Sequence, residues 1–316
     1  MRCSLSDRKS AGSFPFVLAV AGAISAPALP SQGQSGVHLV EIASFPVPGG
    51  FEVTGATLSP NGPVVFWSRE SKTVMTSDGQ RMRNLCPRET LDPLAAAFIE
   101  KPFRIEIVDG RSGRLVQAGP GSTCRFGAEL GRPGTILAAS YSHGNDEWIG
   151  LTNRYGQSTL VIAGGGRRRH VAIPIVPVMD LPMTHMTASS TGVVLSSLKW
   201  PFTWISVSRA GRTLVRSRPF TADTVITGVS DTVVSSELVG MATHAIDKGF
   251  IQLLADPRSD LRVLVVYGPD GRTFRRATIG VSLGLLDFEP VATHVLALRR
   301  TDTLELVTYS LHRSGR

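Results

Sequence analysis

The sequence predicts an all-β protein assembled from repeated units of short strands. Runs of about four to eight β-branched and aromatic residues recur along the chain, and turn dipeptides such as Asn61-Gly62 separate them. The 32 Gly and 20 Pro residues among 316 suit a chain with many tight turns. Helical periodicity is scarce, since its best candidate, residues 91–100, is short and interrupted by Pro93. These three observations favour an all-β fold.

The same order of strands and turns recurs in three long units, which begin near Gly55, Met183 and Met241. The aligned glycines of the second and third units, Gly192 and Gly249, lie 57 residues apart. Weaker copies fill the intervals and cover residues 103–119, 135–164 and 286–312. Six units over about 275 residues average about 46 residues each, which is the range of a repeated four-stranded sheet.

The last unit is one strand short, and a spare strand precedes the first unit. Residues 37–45 (VHLVEIASF) alternate apolar and polar side chains, as an outer strand does. If this strand pairs with the last unit, the sheets close into a ring with no stray strand at either end. The sharpest motif is Ser59-Pro60-Asn61-Gly62 followed by residues 64–68 (VVFWS) in the first unit.

On these features the chain resembles the six-bladed β-propellers, and its first unit resembles a TolB-type repeat. The resemblance implies one all-β propeller domain over residues 37–316, closed by an N-terminal strand that joins the last blade. The periodic resemblance spans residues 37–313, whereas the sharp motif occurs once.

The N-terminal 28 residues match the three-part pattern of a secretory signal peptide. An uncharged run at residues 14–24 follows three basic residues, and Ala26 and Ala28 supply the small side chains that a signal peptidase reads. We expect cleavage after Ala28, a linker over residues 29–36 and export to the periplasm or the extracellular space. The run is too short for a hydrocarbon core of ~30 Å, so we expect no transmembrane span. An uncleaved anchor or a misassigned start codon is the alternative.

Cleavage would leave two cysteines, Cys86 and Cys124, in an oxidising compartment. A disulfide between them would span 38 residues. On the chain-entropy estimate it would stabilise the fold by roughly 3–4 kcal/mol. Two buried free thiols are the alternative. No Cys-x-x-Cys pair supports a zinc site.

The net charge of +8 comes with a strong preference for Arg, which supplies 28 of the 33 basic residues. These residues are scattered rather than placed in a stripe with stacking aromatics, so we expect no nucleic-acid partner. One cluster, residues 167–170 (RRRH), follows three glycines. It is either a solvated hairpin tip or a contact for an acidic partner or anionic surface.

Motifs for catalysis are absent: the chain has no nucleophile elbow, zinc-protease helix, P-loop or calcium loop. Propeller hydrolases such as the paraoxonase and gluconolactonase families coordinate calcium with Glu, Asn and Asp side chains at the channel mouth. A similar set here would draw on four residues: Glu52, Asn61, Asp180 and Asp287. We expect no cofactor, with calcium as the alternative.

Two Thr-His pairs fall in the predicted innermost strands of their units, and they place His185 and His244 at similar positions. These histidines either line the central channel and bind a metal or an anion, or tie neighbouring strands together by hydrogen bonds. A third pair, ending at His294, falls in another register. Trp200 lies near a turn and is either a ligand contact or a packing residue. The candidate ligand or channel residues are therefore four: His185, His244, Asp287 and Trp200.

The scarcity of carboxylates and the lack of a nucleophile favour a monomeric, non-enzymatic binding module. Its partner would be a protein, a peptide or an envelope component. Two alternatives stay open: a cation-dependent lactonase-like or esterase-like hydrolase, and a carbohydrate-binding envelope module that uses exposed aromatic side chains.

Overall fold

The computed structural model of the chain describes residues 37–59, 63–78, 81–100, 103–118, 123–154, 156–173, 184–197, 204–216, 239–246, 249–255, 262–267, 274–279, 283–289 and 294–313. The predicted signal peptide, residues 1–28, and linker, residues 29–36, lie outside these ranges and stay predictions.

The described strands form six antiparallel sheets of four strands each. Sheet 1 contains β2 (Gly55–Leu58), β3 (Val64–Ser68), β4 (Thr73–Ser77) and β5 (Met82–Leu85). Sheet 2 contains β6 (Pro93–Glu100), β7 (Phe103–Asp109), β8 (Arg114–Ala118) and β9 (Cys124–Glu129). Sheet 3 contains β10 (Ile136–Ser142), β11 (Glu147–Arg154), β12 (Gln157–Gly164) and β13 (Arg167–Ala172), with a 3₁₀ turn at His143–Asn145.

The remaining sheets repeat this plan. Sheet 4 contains β14 (Thr184–Ala188), β15 (Gly192–Ser197), β16 (Trp204–Ser208) and β17 (Thr213–Arg216). Sheet 5 contains β18 (Val239–Ile246), β19 (Gly249–Ala255), β20 (Arg262–Tyr267) and β21 (Phe274–Ile279). Sheet 6 contains β22 (Leu283–Glu289), β23 (His294–Arg300), β24 (Leu304–Arg313) and β1 (Val37–Pro46).

The first strand of each sheet contacts the first strand of the next sheet. The contacts run from β2 through β6, β10, β14, β18 and β22, and β22 in turn contacts β2. The sheets therefore surround a common axis with these strands innermost. The chain is an all-β propeller, as the repeats predict.

Sheet 6 takes its outermost strand from the N-terminal side of the domain. β1 pairs with β24 from Val37 opposite Arg313 to Pro46 opposite Glu305, with a bulge at Ile42. The Arg299 guanidinium on β23 reinforces this pairing, because it donates to the carboxylates of Glu41 on β1 and Glu305 on β24.

The core lies between neighbouring sheets, so many strands are buried on both faces. Val64, Val65 and Phe66 are consecutive on β3 and fully buried. Trp67 packs between sheets 1 and 2, and Trp148 packs between sheets 2 and 3. The strands therefore read as continuous apolar runs rather than as an alternation of apolar and polar residues.

Candidate functional site

Three of the four predicted site residues come together on neighbouring innermost strands. His185 lies on β14, His244 on β18 and Asp287 on β22. The two imidazole ring centroids are 5.2 Å apart, and the ring planes meet at 69°. Nδ1 of His244 lies 3.9 Å from Oδ1 of Asp287. With Thr57 on β2, these residues form a row across sheets 4, 5, 6 and 1, called the inner cluster here.

Asp287 ties sheet 6 to sheet 1. Its Oδ2 accepts a hydrogen bond of 2.7 Å from Thr57 Oγ1 and one of 3.0 Å from the Leu58 amide. Its Oδ1 accepts a hydrogen bond of 2.8 Å from the Phe288 amide. A shift of register between Leu285 and Asp287 on β22 sets the position of this carboxylate.

His244 is the most buried member of the inner cluster, with 6% of the residue exposed. Burial lowers the pKa of this imidazole from 6.5 to about 4, because a charged ring is poorly solvated there. The ring is therefore neutral near pH 7 and carries one proton. Since Nδ1 faces the Asp287 carboxylate, we assign the proton to Nδ1.

This tautomer leaves Nε2 of His244 as a hydrogen-bond acceptor. Among the described residues no group donates to that buried nitrogen. A buried acceptor without a donor costs about 1–3 kcal/mol, so such atoms are uncommon in folded proteins. The inner cluster therefore holds a buried acceptor, Nε2, on an imidazole whose other nitrogen lies 3.9 Å from a carboxylate oxygen.

Two polar residues on innermost strands, Thr57 and Ser140, were not singled out by the sequence. Ser140 on β10 occupies the position equivalent to His244, three residues after the bulge that both strands carry near their start. Its hydroxyl accepts a hydrogen bond of 2.9 Å from the Ala188 amide on β14. Polar side chains on innermost strands thus bind backbone groups of the next sheet, as Asp287 does.

The other predicted site residues do not join the inner cluster. Trp200, Asn61 and Asp180 lie outside the described residues. Glu52 is exposed, and its described partner is Glu70, whose carboxylate raises the pKa of Glu52. The described residues contain no group of three or more His, Cys, Asp or Glu side chains arranged to hold a metal ion. Calcium binding stays an untested alternative.

Cys86 and Cys124 form a disulfide, and their Cα atoms are 5.4 Å apart. Cys86 follows β5, the outermost strand of sheet 1, and Cys124 begins β9, the outermost strand of sheet 2. The disulfide therefore joins the outer edges of two neighbouring sheets. Within the described part of the chain no helix is long and apolar enough to cross a membrane.

Sequence comparisons identify no relative: no family model matches the chain, and no curated protein matches it. Solved structures do resemble it. A Bacteroides thetaiotaomicron protein of unknown function has a TM-score of 0.56 at 9% identity, over 88% of this chain and 77% of the other. A calcium-binding protein, regucalcin from Agrobacterium tumefaciens, has a TM-score of 0.52 at 14% identity, over 84% and 91%.

A third similar structure is a catalytically inactive variant of virginiamycin B lyase from Staphylococcus aureus with quinupristin. Its TM-score is 0.50 at 12% identity, and the match covers 83% of this chain and 82% of the lyase. Identities this low show a shared β-propeller fold alone, and propellers host both binding and catalysis.

Proposed function

We propose that the chain is an exported β-propeller that binds a partner molecule without changing it covalently, and that the inner cluster receives a hydrogen-bond donor of that partner. The observation that carries this proposal is the buried Nε2 of His244, which has no donor among the described residues. A ligand that supplies the donor removes the cost of leaving this acceptor unpaired.

The charge of the inner cluster narrows the class of ligand. Asp287 brings a carboxylate, and the neutral His244 ring brings an acceptor nitrogen. No described Lys or Arg makes an ion pair with Asp287. A hydroxyl or an ammonium group can donate to Nε2, and the carboxylate disfavours a ligand with negative charge.

Export to the periplasm or the extracellular space is part of the proposal, and two features support it independently. The first is the signal-peptide pattern of residues 1–28. The second is the disulfide between Cys86 and Cys124, since disulfides persist in oxidising compartments and are rare in the cytosol. Either an envelope component or an extracellular molecule fits such a location.

The proposed module is a monomeric six-bladed propeller, in which each four-stranded sheet is one blade. The pairing of β1 with β24 supports closure by the N-terminal strand, and the contact between β22 and β2 supports a continuous ring. The TolB-type character of the first blade stays a prediction, because residues 60–62 of its motif lie outside the described residues.

The test uses the mature chain, residues 29–316, with ¹⁵N-labelled histidine. Methylammonium and glycerol serve as donor probes, and acetate serves as an acceptor probe. We expect NMR spectra to show an unprotonated Nε2 on His244 whose resonance shifts with a donor probe and not with acetate. His244→Leu removes that resonance and the binding, whereas His312→Leu, at an exposed position on β24, leaves both unchanged.

Two results would count against this function. A protonated Nε2 on His244 would make the nitrogen a donor and reverse the expected ligand chemistry. Calcium-dependent hydrolysis of a lactone by the purified chain would favour the hydrolase alternative instead. The carbohydrate alternative rests on Trp200 and is tested by the glycerol titration together with Trp200→Ala.

A further inference from the structure

A second surface, independent of the inner cluster, lies on the outer edge of sheet 3. β13 is the outermost strand of that sheet, and Arg167, Arg168, Arg169 and His170 on it are all exposed. The strand follows a tight turn in which Gly165 and Gly166 have φ of 55° and 72°. These four side chains define the β13 edge.

The positive charge of the β13 edge is only partly balanced. Arg168 forms an ion pair of 3.3 Å with Glu129 on β9, the outermost strand of sheet 2. Arg169 donates a hydrogen bond of 3.4 Å to the carbonyl of Arg209, a neutral partner. Neither Arg167 nor Arg169 makes an ion pair with a carboxylate of the described residues.

The neighbouring turn of sheet 4 adds to the positive charge. The turn over residues 209–212 approaches β13, since a side chain at Gly211 would meet the carbonyl of Ala172. Arg209 in this turn is paired with Glu147, and Arg212 is exposed. The two carboxylates described here, Glu129 and Glu147, are therefore already paired, and the surface favours an anionic partner.

Among the described residues, the backbone of β13 is also unpaired on one side, apart from the end at Ala172, which the turn at Gly211 approaches. β13 pairs with β12 on one side, and no described strand pairs with its other side. A free edge offers a row of N–H and C=O groups to an added strand. Charged side chains on an edge discourage pairing between copies of the same chain, because like charges then face each other. Because the consecutive charges on β13 are all positive, an acidic strand is the complementary partner.

We propose that the β13 edge binds an extended acidic segment of a partner polypeptide, which adds as a strand beside β13. Successive side chains on a strand point to opposite faces, so Arg167 and Arg169 lie on one face and Arg168 on the other. A flat anionic surface meets only one of these faces at a time. An added strand meets both, and it also satisfies the backbone groups of the edge.

The test measures binding of a fluorescent peptide with three consecutive Glu residues flanked by Thr to the mature chain by anisotropy. The control peptide has Lys in place of Glu. We expect the acidic peptide to bind and the Lys peptide not to bind. The affinity of the acidic peptide falls as salt is raised, because the contacts are between exposed charges. Two N-methylated versions of the peptide block alternate backbone N–H groups, and only one of them should keep its affinity.

The variant Arg167→Glu/Arg169→Glu should weaken binding by about tenfold or more, since attraction becomes repulsion at two positions. The matched control is Arg81→Glu/Arg83→Glu, which makes the same change of charge at exposed positions at the outermost strand of sheet 1. Equal losses of affinity in the two variants would overturn the proposal, because they would show that the net charge of the protein, and not the β13 edge, determines binding. Binding to phosphatidylglycerol vesicles without binding to the peptide would also overturn it.

Discussion

Oδ2 of Asp287 accepts a hydrogen bond of 2.7 Å from Thr57 Oγ1, although 230 residues separate the two in sequence. The bond joins β22 of the last sheet to β2 of the first sheet. The Leu58 amide donates to the same oxygen. A carboxylate with two donors therefore links the last sheet to the first sheet. The inner cluster therefore contributes to the stability of the fold as well as to the proposed binding.

Asp287→Ala should lower the free energy of unfolding by about 2–3 kcal/mol, because two donors lose a charged acceptor in a partly buried site. Urea unfolding followed by tryptophan fluorescence measures this change. Asp302→Ala is the control, since Asp302 is an exposed residue in the turn before β24 and should shift stability by less than about 0.5 kcal/mol. Equal effects of the two substitutions would show that the junction is not held by Asp287.

His244 should make the fold less stable in acid. Its folded pKa is lowered from 6.5 to about 4, so between these values the unfolded chain binds more protons than the folded chain. The stabilisation is present above about pH 6.5 and is lost as the pH falls towards 4. The loss approaches about 3 kcal/mol below both pKa values. Among the described residues, the charged or titratable groups that face this ring are Asp287 and His185.

Urea unfolding of the parent chain and of His244→Leu at several pH values checks this expectation. The variant should lose less stability than the parent between about pH 6.5 and pH 4. Parallel pH profiles would mean that other groups, such as paired carboxylates, account for the acid sensitivity.

Removing the disulfide with Cys86→Ala/Cys124→Ala should lower the free energy of unfolding by roughly 3–4 kcal/mol, because the cross-link restricts a loop of 38 residues in the unfolded chain. Thermal unfolding of the variant and of the parent protein with and without reductant gives the comparison. Mass spectrometry after alkylation supplies a direct check. Modification of two thiols in the unreduced mature protein would contradict the disulfide.

Trp148→Phe should lower the free energy of unfolding more than Trp67→Phe does, although both rings are buried between sheets. The indole N–H of Trp148 donates a hydrogen bond of 2.7 Å to Oε2 of the buried Glu106, and phenylalanine cannot replace this donor. The difference between the two variants should be about 1.5–3 kcal/mol, the value of a hydrogen bond to a charged group. Chemical unfolding measures it, and equal losses would assign Trp148 to apolar packing alone.

The sequence predicted the all-β class, and it placed His185 and His244 on innermost strands, because turn dipeptides and strand periodicity are local properties. Trp67 and Trp148 pack between sheets because large aromatic side chains within apolar strands fill the space between stacked sheets. The sequence also left open whether the two histidines bind a ligand or link strands.

The contacts of the inner cluster were beyond sequence reasoning. Thr57 carries no motif, and its partner Asp287 was proposed as a ligand, channel or metal-binding residue rather than as a link between sheets. A bulge on β22 shifts the register by one residue, and a shift of one residue moves a side chain to the other face of a strand. Bulges leave little trace in a single sequence, so the meeting of these side chains had to be observed.

The sequence by itself determined the class of secondary structure, the repeat and the run of arginines at 167–169, because each depends on neighbours along the chain. Only the tertiary structure decided that His244 is buried beside Asp287 and that Arg167 and Arg169 lie without a carboxylate partner among the described residues. Burial and ion pairing depend on which sheets become neighbours. That arrangement arises from the packing of sheet against sheet around the ring, which local patterns do not encode.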